Sequence, residues 1–114
     1  MTYRAEQGDI VWIDFDPQAG HEQARRRPAF VVSNDTFNRF VKTAAMVCPI
    51  TGTERGIPLH VKLDARTRTT GVILCDQAKI LDLHKHNAEW IEKAPDDLVF
   101  EVVDIITGLI EVGG

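Results

Sequence analysis

The chain has 114 residues, of which 44% are hydrophobic and 26% are charged. This composition is typical of a globular protein, and we expect residues 1–114 to form a single domain. No apolar run approaches the roughly 18 residues of a membrane helix, and residues 1–7 lack the apolar core of a signal peptide. Cys48 and Cys75 each lie in an apolar segment, which favours buried free thiols in a reducing compartment over a disulfide. We therefore expect a cytoplasmic protein.

The formal charge of −4 is unevenly distributed along the chain. Residues 1–20 sum to −3, residues 21–70 to +5 and residues 71–114 to −6. A basic central segment can form a local positive face for a polyanion even when the total charge is negative. The alternative is that these charges are scattered over a solvated surface.

Turn residues separate short apolar segments along most of the chain, which predicts a series of strands. The predicted strands span residues 9–15, 28–33, 44–50, 59–63, 71–74, 77–81 and 88–93. In the fourth of these, Leu59, Val61 and Leu63 alternate with polar residues, which is typical of a half-buried antiparallel strand. The second and third strands are separated by a helical turn that begins at residues 34–36 and runs to Phe40.

The C-terminal segment has a different period. Pro95 is expected in the first turn of a helix, with two aspartates near its positive end and Gly113 at its end. Its apolar side chains recur at helical spacing and form one face. The predicted fold class is α+β: an antiparallel sheet or small barrel with one C-terminal helix packed against it.

The segment 19–28 carries the densest functional chemistry. His21 and Glu22 can transfer protons near neutral pH, and they precede three arginines. Arg27 adjoins Pro28 at the edge of a strand, so the sheet would hold its guanidinium, which suits a phosphate oxyanion. Thr51 ends the third strand, where its hydroxyl could point to the same place. This set suits cleavage of RNA by its own 2′-hydroxyl, whereas the alternative is a solvated loop with incidental arginines.

Other candidate sites are weaker. The glycines of residues 52–56 indicate a turn, since no phosphate-loop lysine follows them. His84 and His86 are expected to be an exposed pair in a polar turn, because a tetrahedral metal site needs further ligands. We expect neither a metal nor a cofactor.

Several segments, taken in order, resemble the MazF/PemK (Kid) family of toxin endoribonucleases. They are residues 8–12 (GDIVW), 14–17 (DFDP), 20–23 (GHEQ), 27–33 (RPAFVVS), 37–38 (FN), 48–51 (CPIT) and 69–77 (TTGVILCDQ). The resemblance implies an SH3-like antiparallel barrel of the CcdB/MazF type, usually a homodimer. It also implies metal-independent, sequence-specific cleavage of single-stranded RNA at short motifs, which leaves 2′,3′-cyclic phosphate and 5′-hydroxyl ends. The implied partner is a MazE-like antitoxin whose disordered tail folds onto the toxin.

The resemblance also implies residue roles. Arg27 matches the family arginine taken as general acid and oxyanion stabiliser, and Thr51 matches the threonine that contacts the scissile phosphate. Asp76 matches the aspartate used as a base in Kid-like members, whereas His21 and Glu22 match loop positions implicated in proton transfer or RNA binding. The general base stays open among these last three. Further RNA contacts are expected from Gln23, Arg25, Arg26, Gln77 and Lys79.

The chain departs from the Kid pattern at Leu74, where those members have an arginine. A leucine cannot donate a proton, so the arrangement of Arg27 with Thr51 is favoured and Asp76 is secondary. The alternative function is a CcdB-like toxin that inhibits DNA gyrase by binding and cleaves nothing. An RNA-binding module without catalysis is a third hypothesis.

Overall fold

The computed structural model describes residues 3–16, 26–54 and 56–113. Within them the chain forms seven strands, two α-helices and one 3₁₀ helix. The strands are β1 (Asp9–Asp14), β2 (Arg26–Val31), β3 (Ala44–Thr51), β4 (His60–Lys62), β5 (Val72–Leu74), β6 (Lys79–Asp82) and β7 (Glu89–Lys93). The helices are α1 (Asp35–Val41) and α2 (Asp96–Leu109), and the 3₁₀ helix spans Cys75–Gln77.

The long strand β3 organises the sheet. One of its edges pairs with β2, and its other edge pairs first with β6 and then with β5, all antiparallel. The sheet order is β4-β5-β3-β2-β1-β7, with β6 beside β3. Strands β5 and β6 pair with the same edge of β3, β5 near its C-terminal end and β6 near its N-terminal end. The Cys75–Gln77 helix connects these two short strands. This curled antiparallel sheet with one C-terminal helix confirms the predicted α+β fold class.

The sheet buries apolar side chains on both faces. On the face that packs against α2, which we call the helix face, the cluster includes Phe30 and Cys48 together with Leu98 and Val102 of α2. The opposite face carries a second cluster. It comprises Val11, Ile13, Ala29, Val31, Ala45, Val47 and Leu83. These two clusters explain why the strands read as almost continuous apolar runs.

All the predicted elements are present, but several boundaries differ. β2 begins at Arg26, two residues before the prediction, because Arg26 pairs with Asp14 of β1. Pro95 is the N-cap of α2 rather than a first-turn residue, and the helix ends at Leu109 rather than at Gly113. Apolar spacing does not encode where the last turn of a helix ends, and Ile110, which follows α2, is 77% exposed.

The expected helical turn is a full α-helix, α1. Asn34 is its N-cap, and the Asn34 side chain accepts a hydrogen bond from the backbone N–H of Phe37.

Within the described ranges, no helix combines the length and the apolar character that crossing a membrane requires.

Candidate active site

The register of the sheet places Arg27 and Thr51 side by side. Ala29 of β2 pairs with Pro49 of β3, and Val31 pairs with Val47. Continuing this antiparallel register by two residues sets Arg27 opposite Thr51. Both then lie on the face of Ala29 and Val31, since side chains two residues apart on a strand share a face. The two residues favoured from sequence are thus neighbours on the opposite face.

The two adjacent arginines of β2 have different surroundings. Arg26 donates hydrogen bonds to Asp14 Oδ1 at 3.0 Å, to the Asn87 carbonyl at 3.1 Å and to Glu89 Oε1 at 2.6 Å. Hydrogen bonds from Asn87 and Arg26 lower the pKa of Asp14. The exposed guanidinium of Arg27 has no hydrogen-bond or ion-pair partner among the residues that the structure describes. Arg27 is therefore available to an anion, whereas Arg26 already holds β1, β2 and β7 together.

The backbone of Thr51 packs closely against the backbone of Gly71. Thr51 pairs with Val72 of β5, and the Thr51 hydroxyl accepts a hydrogen bond from Thr53 N at 3.3 Å. Gly71, with φ of +120°, lies so near that a Cβ added there would be 2.3 Å from the Thr51 carbonyl oxygen. Only glycine fits this position, because it must tolerate both the positive φ and the contact.

Lys79 and Phe15 add a cation and an aromatic ring to this face. Lys79 pairs with Val47, and its Nζ lies 5.3 Å from the centre of the Phe15 ring, a cation–π arrangement. Phe15 packs against the cluster of the opposite face. Sequence reasoning missed Phe15 as a candidate, although its alternation with Val11 and Ile13 assigns it to the same face.

Asp76 lies in the Cys75–Gln77 helix beside β3, and its partner is a residue that the sequence analysis missed. His60 Nε2 lies 3.3 Å from Asp76 Oδ1, and the His60 side chain is only 7% exposed. His60 occupies a polar position in the alternating pattern of β4, and its side chain is nevertheless largely buried. Gln77, which follows Asp76 in the same short helix, is exposed.

Both cysteines are free and buried, as predicted. Burial raises the pKa of Cys48 to about 12, and the nearby Cys75 thiol and Asp76 charge add to this effect. Burial likewise raises the pKa of Cys75 to about 11. A thiol that stays protonated is a poor nucleophile, so the geometry does not support cysteine catalysis.

The remaining predicted residues divide into two groups. His21, Glu22, Gln23 and Arg25 lie outside the described residues. His84 is exposed, but His86 is partly buried and its Nδ1 lies 2.7 Å from the Asp14 carbonyl oxygen, so the expected exposed pair is wrong for His86. In the described ranges, no group of three or more His, Cys, Asp or Glu side chains could hold a metal ion.

Comparison with known proteins identifies the family of the chain. Residues 6–109 match the family described as the PemK-like, MazF-like toxin of type II toxin-antitoxin systems. This chain belongs to that family. Its relatives include the endoribonuclease toxin ChpB of Escherichia coli, 36% identical, with 93% of this chain and 94% of ChpB covered. Endoribonuclease PemK of Escherichia coli is 32% identical, with 92% of this chain and 81% of PemK covered.

Solved structures of the family share the fold. MazF from Deinococcus radiodurans superimposes with a TM-score of 0.82 at 39% identity, covering 95% of this chain and 97% of that one. A MazE-MazF structure from the same organism gives a TM-score of 0.80 at 32% identity, covering 95% and 96%. The family membership predicted from the ordered motifs is confirmed.

Proposed function

We propose that this toxin is an endoribonuclease that cleaves single-stranded RNA in the bacterial cytoplasm by using the RNA's own 2′-hydroxyl, without a metal ion. One observation carries the proposal. Arg27, which has no acidic partner among the described residues, falls opposite Thr51 and on the same face of the sheet when the β2–β3 register is continued by two residues. The names of the curated relatives favour a ribonuclease over the gyrase-binding alternative.

In this reaction the 2′-hydroxyl oxygen attacks the adjacent phosphorus while a base takes its proton. The bond from phosphorus to the 5′-oxygen breaks, and that oxygen takes a proton from the protonated base or from water, which balances the proton removed from the 2′-hydroxyl. The products are a 2′,3′-cyclic phosphate and a 5′-hydroxyl. Negative charge accumulates on the phosphoryl oxygens between these events, and a fixed donor aimed at those oxygens lowers the barrier.

We assign Arg27 to the stabilisation of that charge. A guanidinium keeps its proton over the accessible pH range and offers paired donors that match two phosphoryl oxygens. This weighs against the alternative role of Arg27 as a general acid. Thr51, beside it, would donate its hydroxyl to the same phosphate and fix the position of the scissile bond.

The general base stays open among His21, Glu22 and Asp76. Each can accept a proton, and Asp76 is the one whose surroundings the structure describes. Lys79 and Phe15 extend the same face and would bind flanking RNA, the ammonium through a phosphate and the ring by stacking on a base. Arg25, Gln23 and Gln77 remain predicted RNA contacts, whereas the predicted contact from Arg26 is disfavoured because its guanidinium is already bonded to Asp14 and Glu89.

We further propose that the toxin acts as a homodimer and is neutralised by a MazE-like antitoxin with a disordered, acidic tail. The solved MazE-MazF structures support this partner. The basic segment 21–70, with a net charge of +5, is complementary to such a tail. An acidic chain lying over Arg27 would compete directly with RNA phosphates.

Incubating the protein with single-stranded RNA in excess EDTA tests the reaction. We expect cleavage products whose 5′ ends accept labelled phosphate from polynucleotide kinase without prior phosphatase treatment. Arg27→Ala should fold normally and lose about 10²- to 10³-fold in rate, the usual cost of removing one donor from a developing oxyanion.

Arg39→Ala is the matched control. Arg39 is also an exposed arginine, but it lies on α1, beyond the far end of β3 from Thr51. The cleavage rate of the Arg39→Ala variant should equal that of the unaltered protein. A reaction that needs added metal, or an Arg27→Ala variant that cleaves normally, would contradict the proposal.

A further inference from the structure

The side chain of His60 is largely buried, and only one of its two ring nitrogens has a polar neighbour among the described residues. It begins β4, and its backbone pairs with Leu74 of β5. The ring atom Nε2 lies 3.3 Å from Asp76 Oδ1, whereas Nδ1 is buried with no hydrogen-bond partner among the described residues. Burying a polar atom without a partner costs stability, and an apolar side chain of similar size would avoid that cost. Packing alone therefore does not explain a histidine at this position.

The sheet connects His60 to the candidate active site. Thr51 pairs with Val72, and Lys62 pairs with the same Val72. His60 precedes Lys62 by two residues, so the two side chains share a face of β4. At the usual rise per residue, His60 lies about 7 Å from Lys62 along the strand. Asp76 lies directly after β5, where the 3₁₀ helix bridges toward β6. His60 thus lies on the same face of the sheet as Thr51, with β5 between β4 and the strand that carries Thr51.

The contact with His60 involves one oxygen of the Asp76 carboxylate, and the carboxylate remains accessible to solvent. Asp76 keeps 37% of its side chain exposed, whereas the His60 side chain is 7% exposed. A carboxylate only accepts hydrogen bonds, so the proton on the imidazole must be on Nε2 where it faces Oδ1. A donor fixed in the sheet restricts the rotation of a carboxylate that projects from a short helix.

We infer that His60 is a positioning residue for Asp76. It holds Oδ1 through Nε2–H and so presents Oδ2 to the RNA bound at Arg27 and Thr51. This inference rests on the proposed ribonuclease function and deepens it, because it assigns Asp76 a working role and names the side chain that orients it. His60 itself does not touch the RNA.

Two substitutions separate orientation from packing. His60→Leu removes the donor and also the unpartnered Nδ1, so its urea unfolding midpoint should be equal to or higher than that of the unaltered protein. Its kcat on a short RNA should nevertheless fall on the order of tenfold, with KM unchanged, because misplacing a reacting group slows chemistry more than binding. His60→Gln keeps an N–H at a reach similar to that of Nε2 and should restore most of kcat.

A double-mutant cycle tests whether His60 acts through Asp76. Asp76→Asn should lower kcat, and adding His60→Leu to that variant should cause no further loss, because the two changes remove one function. Multiplicative losses would overturn the inference. So would a His60→Gln variant as slow as His60→Leu, or an Asp76→Asn variant that cleaves at the normal rate.

A readout independent of cleavage separates this inference from the proposed function. Nitrogen-15 NMR of the unaltered protein should show His60 protonated on Nε2, with that proton protected from solvent exchange and its protection lost in Asp76→Asn. A His60 protonated on Nδ1 alone would overturn the inference whether or not RNA is cut. If the NMR result holds and no RNA is cleaved, the ribonuclease proposal has failed while the contact stands.

Discussion

Replacing Gly71 with alanine should strain the backbone that carries Thr51. The added Cβ would lie 2.3 Å from the Thr51 carbonyl oxygen and 3.0 Å from its carbonyl carbon, although real Cβ contacts essentially never fall below 3.0 Å. Reaching that limit requires the two backbones to separate by at least about 0.7 Å, the difference between 3.0 and 2.3 Å. The hydrogen bond from Leu63 N to the Gly71 carbonyl, 2.9 Å long, opposes this movement.

Two costs set the expected magnitude. An alanine at φ of +120° is strained by about 1–3 kcal/mol. Relieving the overpacking against Thr51 costs a further 1–3 kcal/mol or so. We therefore expect Gly71→Ala to lower the free energy of unfolding by about 2–6 kcal/mol. The cleavage rate of the folded fraction should also fall, since a displacement approaching 1 Å at a substrate-positioning residue can cost up to about 100-fold.

Urea unfolding followed by tryptophan fluorescence measures the first effect, and initial cleavage rates in the absence of urea measure the second. Gly52→Ala is the matched control for stability, because it also adjoins Thr51 but an added Cβ would have no heavy atom within 4 Å. It should change the free energy of unfolding by less than about 0.5 kcal/mol. A Gly71→Ala variant within 1 kcal/mol or so of the unaltered protein would refute the reasoning, as would a Gly52→Ala variant equally destabilised.

Three other predictions follow from the structure. Gly108→Ala should stabilise the protein by about 0.5 kcal/mol in the same urea titration, because the residue lies in α2 with open space at its Cβ position; a lower stability would contradict this. Hydrogen bonds from Arg66 lower the pKa of Asp64 to about 2, so any stability lost in Asp64→Asn at pH 7 should persist down to about pH 4 and disappear as the pH falls towards 2. A stability difference that instead grows as the pH falls would exclude this linkage. Cys48 and Cys75 should resist an aromatic disulfide reagent in the folded protein and react fully in urea, which a spectrophotometric thiol assay measures; rapid reaction of the folded protein would show that the thiols are accessible.

Much of the fold was predictable because it depends on short-range patterns. Strands β1 and β3 consist largely of apolar and β-branched residues bounded by turns. Helix α2 combines two acidic residues in its first turn with apolar side chains on one face. Boundaries were less predictable. The start of β2 at Arg26 depends on pairing with Asp14, a partner 12 residues away.

The site was partly predictable for the same reason. Arg27 and Thr51 could be selected from their residue chemistry and from the family motifs. That they are neighbours depends on the register between β2 and β3, which the sequence does not state. The contacts of Lys79 with Phe15 and of His60 with Asp76 join residues from separate elements, so a linear pattern does not reveal them.

The segment 19–28 combines proton carriers with arginines. The sequence by itself determined the family, the order of elements and the residue types available for the chemistry, since these depend on composition and local spacing. Tertiary structure decided which arginine is available. Side chains of adjacent strand residues point to opposite faces, so Arg26 is bonded to Asp14 and Glu89 while Arg27 faces outward beside Thr51.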